Sequence, residues 1–186
     1  MTKLTSVQVS NKHLLSFESI FDMWRSPIHL AYVADKNEGK LNRFPNFIEI
    51  LDEQEKRLDQ DIVSPEGHET HYIGYDPNGT LCSLGLDIVQ EMYPTKEVIP
   101  TGGVYYPPMS YMGWHTNSDF VGKRVYVSWS AKADRNFFRY KVGENTYTDF
   151  DKAGVNIREF TLTKDPLFWH CVGCSTQRFS LGYAVL

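Results

Sequence analysis

Between Leu14 and Trp24, in LLSFESIFDMW, apolar residues recur at roughly helical spacing, which lays one stripe along a helix; Pro27 is expected to end it. A second helix is expected from Pro45 to about Ile62. Pro45 suits a first helical turn, and Phe47, Leu51 and Leu58 share one face with Glu and Lys/Arg opposite. The following SPEGHETHYIGYDPNGT is rich in Gly and Pro and reads as loop, with a short strand at Tyr72 to Tyr75. Ser83 to Tyr93, SLGLDIVQEMY, reads as a third helix stopped by Pro94.

From Val98 the period changes. Short strands are expected at GVYY before Pro107, Tyr111 to His115, Arg124 to Ala131, Asn136 to Val142, Val155 to Thr163, Leu167 to Cys171 and Arg178 to Val185. VYVSWSA sets Val125, Val127 and Trp129 against Tyr126 and Ser128, the two-residue alternation of a half-buried strand. Helices followed by many short strands predict a mainly β fold, a sandwich or barrel, with N-terminal helices. No repeat, low-complexity tract or linker interrupts the chain, so residues 1–186 are expected to form a single domain. Within it, 1–97 would be helical and loop support and 98–186 the β core.

Composition narrows the function classes. With 186 residues the chain can bury a real core, and a formal net charge of −4 gives no general attraction to nucleic acid or to an anionic membrane, without excluding a local basic groove. No apolar run approaches a membrane span, and the first residues lack a secretory layout. Three cysteines are too few and too odd in number for a disulfide framework, so a reduced, cytoplasmic setting is expected. The many aromatic residues after Tyr105 read first as core packing.

Two segments carry the candidate chemistry, YPPMSYMGWHTNSD (106–119) and PLFWHCVGCSTQRFSLGY (166–183). If His115 ends one strand and His170 begins another across a rolled sheet, two imidazoles converge on a metal. Arg178 and Ser180 then stand on the final strand. Fe(II) in oxygenases takes two imidazoles and one oxygen on one face, leaving the other face open. A planar, permanently charged fork such as Arg178, with a hydroxyl beside it, suits a carboxylate.

These residues resemble the Fe(II)/2-oxoglutarate-dependent oxygenases, closest to the prolyl-hydroxylase-like branch, over roughly Val104 to Val185. Tyr106, nine residues before His115, and Tyr111, five after that Tyr, match the branch's spacing, and His170 matches its second iron-binding His. Arg178-Phe179-Ser180 matches its RxS element, eight residues after His170 where about ten is usual. The resemblance implies a double-stranded β-helix (jelly-roll, cupin-like), Fe(II) and 2-oxoglutarate as cofactors, and hydroxylation of a small-molecule or peptide substrate. It also implies that Tyr106 or Tyr111 touches the 2-oxoglutarate. The chain departs from the family where the iron carboxylate usually stands, two residues after the first His, since that position is Asn117. Three arrangements stay open: Asn117 binds iron through its amide oxygen, Asp119 reaches back from a bulged loop, or water or an anion fills the place, as in family members that halogenate. A non-catalytic jelly-roll binding module and a cupin-type metalloenzyme are the rival functions.

Other signals carry less. Cys171 and Cys174 form a CxxC, but zinc normally needs four ligands and no second CxxC exists, so they read as packing residues. His68 and His71 in GHETH lie three apart, whereas a zinc-protease helix needs four. Basic residues gather between the two histidines and read first as solvated surface; Arg124 and Arg139, on strand segments, are the ones that could face inward toward an anionic substrate or the 2-oxoglutarate. Trp114 and Trp169, each beside a candidate ligand, are expected to pack behind the imidazoles and orient them.

Overall fold

The computed structural model describes residues 4–26, 44–58, 73–74 and 80–186. Its elements in chain order are β1 (Thr5–Ser6), α1 (Asn11–Trp24), α2 (Phe47–Glu55), β2 (Ile73–Gly74), α3 (Thr80–Met92), β3 (Val98–Tyr106), β4 (Ser110–His115), β5 (Gly122–Ser130), β6 (Asn136–Val142), β7 (Asn145–Phe150), β8 (Gly154–Leu162), β9 (His170–Cys174) and β10 (Arg178–Val185). The strands form two antiparallel sheets, β1-β8-β5-β10-β3-β2 and β4-β9-β6-β7. From β3 onward the chain passes repeatedly between them, so most neighbours in each sheet are distant in sequence, the β6–β7 hairpin excepted.

Three apolar layers follow from strand alternation. On β10, Phe179, Leu181 and Tyr183 point to one side, where they meet Phe17, Phe21 and Trp24 of α1 and Val89 of α3. Between the sheets lie Phe138, Phe160, Phe168 and Val172. Phe47 and Leu51 of α2 cover the outer side of the second sheet against Tyr111, Trp114, Phe137 and Trp169. Each fully buried side chain of this kind contributes roughly 1.5–3 kcal/mol of transfer free energy. The fit at α2 needs Gly173, because a Cβ there would stand 2.3 Å from Phe137 Cζ and 2.7 Å from Phe47.

The helices stand where their periodicity places them, with differences at the ends. α1 begins three residues before the first apolar position because Ser10 caps it, accepting from the His13 N–H. α2 closes at Glu55, earlier than Ile62, although Leu58 still packs on its cluster. Pro27, residues 59–62 and the GHETH histidines lie outside the described residues. β6 and β10 run as expected; β9 starts at His170, after the Lys164–Leu167 bridge, instead of at Leu167. β7 has no apolar alternation to announce it: its side chains are almost all exposed, and pairing with β6 holds it at the sheet edge. Among the described residues no helix is long and apolar enough to cross a membrane.

Candidate functional site

A one-residue irregularity in β4 builds the site. Met112 pairs with Val172 and His115 pairs with His170, so three steps along β4 oppose two along β9. This extra residue is a β-bulge, which re-aims the side chains beyond it. Strict alternation would put His115 on the α2 side, with Tyr111. The bulge instead leaves both Gly113 and Trp114 facing α2, where the Trp114 indole N–H donates to Leu51 O at 3.0 Å and its backbone N–H to Gln54 Oε1 at 3.3 Å. His115 then turns between the sheets, beside His170.

The two imidazoles lie with ring centroids 4.1 Å apart, both buried. His115 Nδ1 is 2.8 Å from Gly113 O, and His170 Nδ1 is 3.2 Å from Phe168 O. A carbonyl only accepts, so each Nδ1 carries a proton, which in a neutral ring leaves Nε2 its lone pair. Phe138, Phe160 and Phe168 surround His170 at 5.3–5.8 Å. Burial, with His115 beside it, holds the His170 pKa well below its ordinary value, so that ring is neutral near pH 7. Asn117, with φ of 50°, sits in the left-handed region, and its amide nitrogen is 3.3 Å from His170 Nε2. Asn is among the few non-glycine residues that enter this region readily.

These three residues line a pocket of ≈ 280 Å³, near the lower end of small-ligand sites, roughly 300–1,000 Å³. Tyr106 and Ser180 form part of its wall, as the sequence leads one to expect. Tyr111 is placed elsewhere. It lies four residues before His115 with the bulge between them, and so faces the α2 cluster, edge-on to Phe44 at 5.8 Å. Asp119 reaches the same pocket from its exposed loop. Among the described residues, however, no group of three or more His, Cys, Asp or Glu is close enough to hold a metal; the Asn117 amide is the side chain that meets His170 Nε2.

Arg178 occupies an unexpected setting. Its side chain is 1 % exposed and lies outside the pocket lining, with Nε 2.9 Å from Asp151 Oδ2 and the guanidinium carbon 5.2 Å from the Tyr106 ring centre. Its Nη1 is buried without a hydrogen-bond partner. Asp151 follows β7 in a turn, and nothing in the local pattern marks it as a partner for a strand residue 27 positions away. Arg124, on β5, does line the pocket, together with Tyr126 and Met112. Alternation along β5 was the available signal for Arg124 and Tyr126, since Val125 and Val127 face the helices.

Cys171 and Cys174 stand three apart on β9 and therefore on opposite faces, Cys171 in the α2 cluster and Cys174 between the sheets. They cannot share a metal ion or a disulfide. The packing reading of these residues holds.

No family model matches the chain, and no curated protein matches it. Among solved structures it is similar to an oxidoreductase of the 2OG-Fe(II) oxygenase family from Burkholderia pseudomallei, with TM-score 0.40 and 14% identity over 55% of this chain and 50% of that one. It is similar to a Pseudomonas putida prolyl-4-hydroxylase, with TM-score 0.46 and 14% identity over 99% of this chain and 91% of that one. A third is a Trichoplax adhaerens prolyl hydroxylase solved with a hypoxia inducible factor peptide fragment, with TM-score 0.48 and 10% identity over 100% and 83%. The chain spans about half the length of the first of these. At these identities and TM-scores the likeness concerns overall shape alone.

Proposed function

We propose that the chain is a double-stranded β-helix oxygenase that holds Fe(II) at His115, His170 and Asn117 and takes 2-oxoglutarate in the adjoining pocket, to oxidise a small-molecule or peptide substrate. The observation that carries this reading is the histidine pair: two imidazoles from hydrogen-bonded strands, buried in one pocket, each with Nδ1 tied to a carbonyl two residues back. Such a tie fixes the tautomer and ring angle that a metal ligand needs. The repeated passage of β3–β10 between two facing sheets suits the same fold.

The donor set fits a divalent metal. Two imidazole nitrogens are in place, and rotating the Asn117 amide would present its oxygen beside them, since amide nitrogen and oxygen exchange by a half-turn. Fe(II), when bound, would supply the activation of dioxygen with the 2-oxo acid. The protein's own residues do the remaining work. Phe138, Phe160 and Phe168 keep water from the histidines, and Trp114, anchored to α2 at two points, fixes the bulge that aims His115. Tyr106 and Ser180 offer hydroxyl groups on the wall where the co-substrate would lie.

Anaerobic titration with Fe(II) and 2-oxoglutarate tests the proposal. Binding to the wild type, its loss in His115→Ala and His170→Ala, and Fe(II)-dependent succinate formation are the expected results. A wild type that neither binds nor consumes 2-oxoglutarate in the presence of Fe(II) rules the reading out. Asn117 and the prior engagement of Arg178 by Asp151 favour a second reading, a pocket that binds a ligand without catalysis. Retention of a ligand with no metal bound would select it.

A further inference from the structure

The sheet edges are not treated alike. β1 and β2, which bound the six-stranded sheet, are two residues long. β4, at one edge of the other sheet, carries the bulge and is capped by neighbouring segments: Gln54 Oε1 accepts from the Trp114 backbone N–H at 3.3 Å, and the Phe44 N–H donates to Met109 O, just before the strand, at 2.8 Å. Short length, bulges and covering groups keep a foreign strand off an edge. Among the described residues β7, the remaining edge, has none of these. It runs six residues beside β6 with no shift of register, from Phe150 opposite Phe137 to Asn145 opposite Val142. It contains no proline or lysine, and its Tyr147 and Phe150 are 46 % and 51 % exposed.

The outer side of β7 follows from its paired side. The Asp151 N–H donates to Asn136 O at 2.9 Å, in the register of the β6–β7 hairpin. Antiparallel pairing alternates, so Asp149, Tyr147 and Asn145 also turn their N–H and C=O groups to β6, while Thr146, Thr148 and Phe150 turn theirs outward. Among the described residues no strand pairs with that outer side. The outward residues are spaced evenly about Thr148. We infer that a second copy of this chain docks there, β7 against β7 in antiparallel sense, with the twofold axis at Thr148 and the two four-stranded sheets joined into one. Thr148 then meets the partner's Thr148, Thr146 meets the partner's Phe150, and Tyr147 meets the partner's Asp149. Every outward N–H and C=O is used, Thr–Thr and aromatic–Thr pairs are favourable across strands, and no two carboxylates stand opposite each other. Asp149 has Arg158 at 2.6 Å, so its charge is matched within each copy. A register shifted by two residues either way would leave one outward residue of each copy facing residues beyond β7, so the strand itself selects the symmetric register.

One added strand pair buries less than about 1,200 Å², so the expected dimer is of modest affinity and depends on concentration. Sedimentation equilibrium of the full-length chain measures it for the wild type and Thr148→Pro. The proline removes an outward N–H on the axis and leaves the bonds to β6 in place, as an edge strand tolerates. Arg139, which donates to Thr148 Oγ1, keeps Asp52 at 2.6 Å. Thr148→Pro should weaken the dimer roughly tenfold or more through loss of the two axial hydrogen bonds, with circular dichroism showing a folded chain. A second measurement uses Thr148→Cys and Asn145→Cys, whose new thiols are exposed while Cys82, Cys171 and Cys174 are buried. Opposed residues at the axis stand about 5.5 Å apart at Cα, within reach of a disulfide. Under mild oxidation Thr148→Cys should therefore cross-link to its twin, and Asn145→Cys, away from the axis, should do so far more slowly. A wild type that stays monomeric into the millimolar range overturns the inference and leaves this edge to a strand of another protein. Unchanged affinity in a folded Thr148→Pro, or equal cross-linking at positions 145 and 148, overturns it too. If Thr148→Pro does not fold, the two cysteine variants decide the matter.

Discussion

Arg178 and Asp151 form an ion pair in which both partners are buried, Nε to Oδ2 at 2.9 Å, and Arg158 Nη1 approaches the other carboxylate oxygen at 2.7 Å. Ser130 donates to the same carboxylate at 2.6 Å and itself accepts from Asn136. One carboxylate thus joins β5, β6, β8 and β10. Asp151→Asn would keep the shape but leave the buried Arg178 guanidinium facing a neutral amide, while Arg158 keeps Asp149 at 2.6 Å. Breaking a buried pair from one side costs about 3–5 kcal/mol. Chemical denaturation should show a loss of that order, with far-UV circular dichroism unchanged at low denaturant.

The same carboxylate makes stability depend on acid. Burial alone pushes its pKa up, but Arg178, Arg158 and Ser130 outweigh burial and hold it below the ordinary 3.8. In the unfolded chain it titrates near about 3.9. A depressed folded pKa means that the unfolded state binds the proton more readily. The stabilisation is therefore present above the unfolded value and is lost as pH falls through it toward the folded one. Unfolding free energies measured between pH 6 and pH 3 should decline in the wild type, and Asp151→Asn should remove part of that slope. An equal slope in both proteins would place the acid sensitivity elsewhere.

Much of this architecture is legible in the chain because burial on one side imposes a period. α1 shows this best, since its helical period needs no partner to be read, and β10, though buried throughout, still sets Phe179, Leu181 and Tyr183 against smaller residues. The Tyr106–His115 spacing likewise survives as two residues of one pocket. Tyr111 and Arg178 show where such reading stops. The bulge that turns His115 to the face opposite Tyr111 depends on how β4 pairs with β9, and the Asp151 contact depends on the segment after β7 meeting a distant strand. Both are properties of two segments together, and no window along one segment contains them. β7 escaped notice for the opposite reason: it buries little, so burial left no pattern in it.

Accessibility of the thiols follows from the strand geometry. Cys82, Cys171 and Cys174 are all buried and none is in a disulfide, and burial pushes the thiols of Cys171 and Cys174 up from their ordinary pKa. A protonated, shielded thiol is a poor nucleophile. Ellman's reagent should find close to no reactive thiol in the folded protein and three after denaturation, and zinc chelators should leave the melting temperature unchanged. Rapid reaction of two thiols in the native state would mean that β9 does not hold them on opposite faces.

Asn117 gives the sharpest test of the histidine site. Its backbone, at φ of 50°, is one that aspartate adopts about as readily as asparagine, so Asn117→Asp changes charge with little change of strain. A carboxylate there would complete the usual two-histidine, one-carboxylate face for Fe(II) and bring a second negative charge, beside Asp119, to a pocket that also holds Arg124. Metal affinity without any 2-oxo acid should rise by on the order of tenfold or more, which corresponds to about 1.4 kcal/mol or above. Asn117→Ala should lower it and also destabilise the fold, since alanine tolerates that φ poorly. Mn(II) titrations followed by electron paramagnetic resonance on the three proteins decide the matter. If Asn117→Asp binds the ion no better than the wild type, position 117 does not reach the metal.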